Sequence, residues 1–204
     1  LAMLGAVSQG ILWGVMVLGV FITYKLLDIA DLTVDGSFAL GGSVCAVLVV
    51  SGVDPVLAIF AAMLAGMIAG AVTGFLHTVF EIPAILAGIL TQIALWSVNL
   101  RIMGKSNTPL LRVDTLFSSV TDATGLPQNV ASIIVGLIFA ILIIVALYWF
   151  FGTEIGSACR ATGNNEAMVR ALGVDTKVTK MIALTLSNGL VGLSGGLICE
   201  SQGY

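Results

Sequence analysis

The sequence predicts an all-α polytopic transmembrane bundle of about six spans. Three observations lead there. The 204-residue chain is 58% hydrophobic and only 9% charged, far from the composition of a water-soluble domain. Its apolar runs reach the roughly 20 residues a helix needs to cross a bilayer, whereas barrel strands alternate and are about half that length. One run places Ala58, Ala62, Gly66, Gly70 and Gly74 at every fourth position, a ridge of small residues that lets a second helix approach closely.

Span one covers residues 3–24, with Gly10 and Gly14 as a small-xxx-small contact. No basic segment precedes it, so it is expected to act as its own insertion signal. Lys25 follows and places this end inside. The link 26–36 carries Asp28, Asp31 and Asp35. It reads as a solvated turn in which Asp35 or Ser37 caps the next helix. A cation site and a role at the inner mouth of the bundle are the alternatives. Span two, 36–50, is short and holds Gly41, Gly42 and Ser43. It is either a discontinuous helix lining a path or a packing surface.

Asp54 and Pro55 open span three as cap and first helical residue, and the span runs to Thr78. His77 reads as an interfacial side chain, because one His without a carboxylate neighbour is a poor ligand set. The turn 80–83 leads into span four, which ends near Met103. The loop 104–128 contains Lys105, Pro109, Arg112, Asp114, Asp122 and Pro127. By alternation it lies outside, with a helix over 110–120 that either meets a partner or connects passively. Span five, 130–151, is aliphatic and ends in an aromatic belt, as a scaffold or lipid-facing helix does. Span six, 178–199, turns a small polar face of Thr185, Asn188 and Gly192 into the bundle. The sequence ends with residues 200–204. Cys45, Cys159 and Cys199 are odd in number and widely spaced, so they read as small apolar fillers.

Between spans five and six lies a polar stretch, 152–180. Glu154 to Thr162 form a short helix stopped at Gly163, expected to be a left-handed corner. Asn164 or Asn165 caps a second helix, with Glu166 at its positive end. Met168 and Leu172 share a face, and Gly173 followed by Val174 ends it in Schellman fashion. Two short helices thus form a knob outside the bilayer. Arg160, Arg170, Lys177 and Lys180 are half of the eight basic residues, so the knob faces the cytoplasm, with both ends of the chain opposite.

Span four offers a candidate path. Gly88, Gln92, Trp96 and Asn99 fall on one helical face. Gln92 and Asn99 are costly to expose to lipid, so the face meets either protein or a wet cavity. Asn188 of span six is the other candidate for the path.

Several function classes drop out. The sequence has no P-loop, no metal-ligand spacing and no nucleophile elbow, so neither a catalytic set nor a metal site is expected. No carboxylate is expected mid-span, as a proton- or sodium-coupled carrier would usually show. A net charge of −3 leaves no nucleic-acid footprint.

Gly156, Arg160, Ala161, Gly163, Asn165 and Gly173 together resemble the coupling loop of bacterial ABC importer permeases of the branched-chain amino acid and ribose type. The segments around Asp28, Asp31, Asp35 and Gly36, and around Glu81, Pro83 and Gly88, resemble the branch paired with lipoprotein-type binding proteins, some linked to aromatic amino acid uptake. The resemblance implies a single permease domain over 1–204 that lacks the C-terminal spans usual in the family. Its coupling loop, about 152–177, would dock an ATP-binding subunit through Arg160, Gly163, Asn164, Asn165, Glu166 and Gly173. It implies an extracytoplasmic binding protein, pairing with a second copy or a homologous permease, and the bacterial inner membrane. ATP and Mg would sit on the partner subunit and no cofactor on this chain. A stand-alone channel without an ATPase, or a structural membrane fragment, are the rival readings.

Overall fold

The structure is a computed structural model that describes residues 2–105, 108–110, 115–125 and 127–203. Among these there is no strand. Six apolar helices form the bundle: α1 (Ala2–Phe21), which runs into a π-helical turn at Ile22–Leu26, α2 (Val34–Val50), α3 (Pro55–Thr78), α4 (Ala84–Met103), α6 (Gln128–Gly152) and α9 (Thr176–Gln202). Five are long and apolar enough to cross a bilayer, and α2, at 17 residues, is shorter. Three short helices lie between them: α5 (Leu116–Thr124), α7 (Glu154–Asn164) and α8 (Glu166–Ala171).

Helix α9 is the axis. Every residue from Ser187 to Glu200 is buried, and α1, α2 and α3 pack around it. Small residues make this possible. The α3 ridge faces α9: a Cβ on Gly66 would meet the Asn188 carbonyl oxygen, and one on Gly70 the Leu184 carbonyl oxygen. In return Gly192 lies against Ala62, and Gly195 against the Phe38 carbonyl of α2. Lipid tails give helices no hydrophobic reason to associate, so close backbone contact and interhelical hydrogen bonds take over. Ser187 donates to Gly19 O at 2.7 Å and Ser194 to Leu12 O at 3.0 Å. Helix α6, the most apolar of the five, packs on α1 and exposes Ile141, Leu142, Val145, Tyr148 and Trp149.

The connections fall at two ends. At the knob end lie the 27–33 link, the 79–83 turn and α7–α8, where Lys177 bridges to Glu81 at 3.6 Å. At the far end Leu110 N–H donates to Gly203 O at 2.9 Å.

Several local expectations need correction. A Cβ on Gly10 or Gly14 would meet nothing within 4 Å, and Gly19 makes the close contact of α1 with α9 instead. Neither Asp35 nor Ser37 caps α2: Thr33 stands at the cap, Asp31 accepts from the Thr33 N–H at 2.9 Å, and Ser37 points into the bundle. Helix α2 is continuous, not broken at its glycines. The helix expected over 110–120 is α5, starting at Leu116 under a Thr115–Ser118 capping box. Arg112 and Asp114 lie outside the described residues. Span six does not stop at Cys199, because α9 runs on to Gln202 with Glu200 buried inside the bundle.

Other local signals act as the residue chemistry dictates. Asp54 accepts from the Val56 N–H at 2.9 Å with Pro55 at the first helical position. His77 Nδ1 bonds the Ile82 carbonyl at 2.8 Å. All three cysteines are buried and free.

Candidate functional site

Helices α2, α4 and α9 enclose a cavity of about 430 Å³ that opens on one side. Its long dimension follows α4 from Gln92 to Met103, a rise of about 16 Å. The expected face of α4 divides here. Gln92, Trp96 and Asn99 line the cavity, whereas Gly88 packs against the backbone of Leu32 and Thr33. Trp96 stands at the open side, 71% exposed, and Phe38 lines the α2 wall, stacked on Trp13 at 5.2 Å between ring centroids.

Polar groups are few. Ser43 bonds the Ala39 carbonyl of its own helix. Asn99 is buried, and neither Asn99 Oδ1 nor Thr108 Oγ1, a second lining residue, has a hydrogen-bond partner among the described residues. Buried polar atoms are paired in most proteins, so two orphans in one cavity mark it as a place for a ligand or water. Asp35 is the one charged side chain among the described lining residues.

Asn188 does not line this cavity. It is fully buried between helices, donating through Nδ2 to Asp31 Oδ2 at 2.6 Å and accepting at Oδ1 from Ser37 at 2.6 Å. A neighbouring hydroxyl pair, Thr33 and Thr73, is 2.8 Å apart. Link, α2, α3 and α9 are thereby tied at one level. Asp31 and Asn188 are 157 residues apart, which left no local signal for the pair.

Glu200 also escaped the sequence reading. Its Oε2 accepts from the Leu116 N–H, the first turn of α5, at 2.9 Å, and Cys45 Sγ lies 3.4 Å from Oε1. A carboxylate directly after an apolar run, with Gly203 as a left-handed stop at φ +77° three residues on, was the available sign that the helix continues.

At the knob, Thr153 caps α7 by accepting from the Gly156 N–H, and Asn165, not Asn164, caps α8 by accepting from Met168 N–H at 3.0 Å. Gly173 takes φ +85°, and the pair Gly173 N–H to Arg170 O and Val174 N–H to Val169 O completes a Schellman stop. Gly163 corrects the expectation of a left-handed corner. It sits within helical α7 without positive φ, and its missing Cβ makes room for the Leu26 carbonyl oxygen and Leu27 Cα. Close approach, not backbone handedness, is what requires glycine there.

Glu166 is the electrostatic centre of the knob. It meets Lys180 Nζ at 2.7 Å, Arg170 Nη2 at 3.0 Å and the Thr176 hydroxyl at 3.0 Å. The hydrogen bond from Lys180 chiefly holds its carboxyl below the usual carboxylate range, against the opposing pull of burial. Arg160 donates to the Phe151 carbonyl at 2.9 Å, closing the end of α6. Burial pushes the Cys159 thiol up, which makes it inert filler. Met168, Leu172 and Ile155 leave apolar surface exposed on the knob.

The chain matches the model of a family described as branched-chain amino acid transport system / permease component over residues 2–204. It is 38% identical to a tyrosine transport system permease protein of Clostridioides difficile, covering 98% of this chain and 65% of that protein. It is 30% identical to a ribose import permease protein of Escherichia coli over 81% of this chain and 51% of that protein. It is 31% identical to an autoinducer 2 import system permease protein of Yersinia pestis over 69% of this chain and 38% of that protein. The chain therefore spans less than two thirds of the length of each of these relatives. No solved structure matches it.

Proposed function

Because the chain belongs to the family of branched-chain amino acid transport system permease components, we propose that it is the membrane-spanning subunit of an ATP-driven importer in a bacterial inner membrane. The observation that carries this is the knob. A pair of short helices stands beyond the end of α6, fixed by Gly163 and Glu166 and carrying exposed Met168 and Leu172. An exposed apolar face on a rigid projection outside the spans suits a protein partner, here an ATP-binding subunit that carries ATP and Mg.

The cavity between α2, α4 and α9 is the solute path in this reading. It opens sideways at Trp96, and amides of Gln92 and Asn99 facing hydrocarbon would be costly. A second copy or a homologous permease therefore closes it, and a binding protein delivers solute near α5. ATP-driven closure of the ATPase pair moves the two knobs and rocks the bundles. Gly163 against Leu26 carries that movement into the link, and Asp31 carries it to Asn188 on the central helix. The permease acts by position and movement, without covalent chemistry. Aromatic walls at Trp96 and Phe38, together with a tyrosine permease among the relatives, support an amino acid with an aromatic side chain as solute.

The test is co-purification. The tagged full chain is expected to retain an ATP-binding subunit co-expressed from the same transport system, and Leu172→Glu to release it while the chain still inserts. A chain that retains no such subunit, yet conducts solute in vesicles, is instead a stand-alone channel.

A further inference from the structure

The orphaned atoms in the cavity say which end of a solute they would hold. Asn99 Oδ1 and Thr108 Oγ1 lie at the end toward Met103, without protein partners among the described residues. An amide oxygen can only accept, so what satisfies it must donate. At the opposite end the lining offers Asp35, a carboxylate, and the described lining residues include no Lys or Arg. The two orphaned oxygens can accept and the one described charge is negative, while the amides of Gln92, Asn99 and Gln202 also bring N–H donors. Between the two ends the walls are apolar and partly aromatic, with Trp96 and Phe38 as flat surfaces. Aromatic faces carry negative potential and attract cations.

We infer that Asn99, helped by Thr108, selects solutes through a primary ammonium group, with the ring-bearing body of the solute against Trp96, and that the solute's carboxylate contributes little to recognition in this cavity. The inference rests on the cavity being the solute path. Asn99 accepts an N–H from the ammonium, Thr108 Oγ1 accepts a second, and the remaining donor meets water. An orphaned amide left without a donor disfavours solutes that lack one, because a buried polar atom that stays unpaired is penalised. A solute stripped of its ammonium but keeping its carboxylate brings negative charge to a cavity that offers no cation among its described lining residues. A solute held by a few neutral acceptors also leaves readily, as a permease requires.

The experiment uses the full chain with its ATP-binding subunit in lipid nanodiscs, with Gln92→Cys introduced and Cys45, Cys159 and Cys199 replaced by alanine. Modification of the introduced thiol by a water-soluble maleimide is measured against three probes: L-phenylalanine, 2-phenylethylamine, which lacks the carboxylate, and 3-phenylpropionate, which lacks the ammonium. Protection by the first two is expected at concentrations at least tenfold below those at which 3-phenylpropionate protects. Asn99→Leu is expected to weaken protection by 2-phenylethylamine at least tenfold, whereas isosteric Asn99→Asp, which keeps an acceptor, retains it. Equal protection by 3-phenylpropionate, loss of protection in Asn99→Asp, or no effect of Asn99→Leu overturns the inference and leaves the path reading standing. Protection by none of the three, with the thiol still reactive, overturns it likewise. A thiol that stays unmodified in every nucleotide state shows a dry cavity and overturns both.

Discussion

The Asp31 carboxylate and the Asn188 amide meet at 2.6 Å inside the bundle, and this contact joins the knob-end link to the helix around which everything else packs. Asn188 is fully buried and bonded through both amide atoms: Nδ2 serves Asp31 and the Leu184 carbonyl, and Oδ1 takes the Ser37 hydroxyl. Asn188→Leu strips partners from Asp31 and Ser37 at once. Leaving buried polar groups unsatisfied costs about 1–3 kcal/mol each, so the variant is expected to lower the detergent melting temperature by several degrees. Ser37→Ala leaves one unpaired group, the Asn188 Oδ1 acceptor, so its effect is smaller. An unchanged melting temperature in Asn188→Leu means the hub contributes nothing to stability.

Packing of α3 on α9 gives a second test. At Gly70 a side chain would run into the Leu184 carbonyl oxygen and lie 2.7 Å from the Asn188 Cβ. Gly70→Leu must push the two helices apart, and overpacking costs about 1–3 kcal/mol or more. Gly10→Leu, at a glycine with nothing within 4 Å, serves as the control and is expected to be silent. Equal behaviour of the two variants contradicts the arrangement.

The two knob glycines act for different reasons, and substitution separates them. Gly163→Ala places a methyl on the Leu26 carbonyl and is expected to displace α7, abolishing stimulation of the ATPase while the chain still inserts. Gly173→Ala meets open space but adopts φ +85°, at a cost of about 1–2 kcal/mol. It is expected to destabilise α8 locally, measured by faster amide exchange there, with stimulation reduced and not lost. Full stimulation in Gly163→Ala refutes the coupling route through the link.

Acid should loosen the knob through Glu166. Its carboxyl is held below the usual range by Lys180, so the folded state binds this proton less readily than the unfolded one. The stabilisation is complete above the ordinary carboxylate pKa and fades as pH falls through the lower folded value. Half-exposed ion pairs contribute little, so the effect is local. Protection of the α8 amides, taken relative to the intrinsic exchange rate at each pH, is expected to fall with acid in the wild type, and to lose most of that dependence in Glu166→Gln. An identical acid response in both proteins assigns it to another group.

How much of this was legible in the sequence depended on how local the physics is. Span count, the Asp54–Pro55 start, the Gly173 stop and the α3 ridge rest on residues within a few turns of each other, and periodicity or capping chemistry reveals them. The Gln92, Trp96 and Asn99 face was likewise legible, since one helix carries it. What stayed hidden depends on contacts between distant segments. Asn188 read as a path residue because a buried amide in a span looks the same whether it faces water or a partner such as Asp31. Gly163 read as a corner because a glycine needed for close approach and one needed for positive φ are identical on paper. Glu200 read as an end because the partner that accommodates it, the Leu116 N–H, comes from α5 across the bundle.

The central claim is that the α2–α4–α9 cavity is a solute path moved by an ATPase docked on the knob. It is tested most directly by thiol reactivity at position 96 in Trp96→Cys, with the three native cysteines replaced. The protein is assembled with its ATP-binding subunit and compared nucleotide-free and after trapping with ATP and vanadate. Trp96 stands at the open side of the cavity, so the thiol is expected to react with a small water-soluble reagent in one state and to change rate at least severalfold in the other. The same rate in both states, or no reaction in either, contradicts the account.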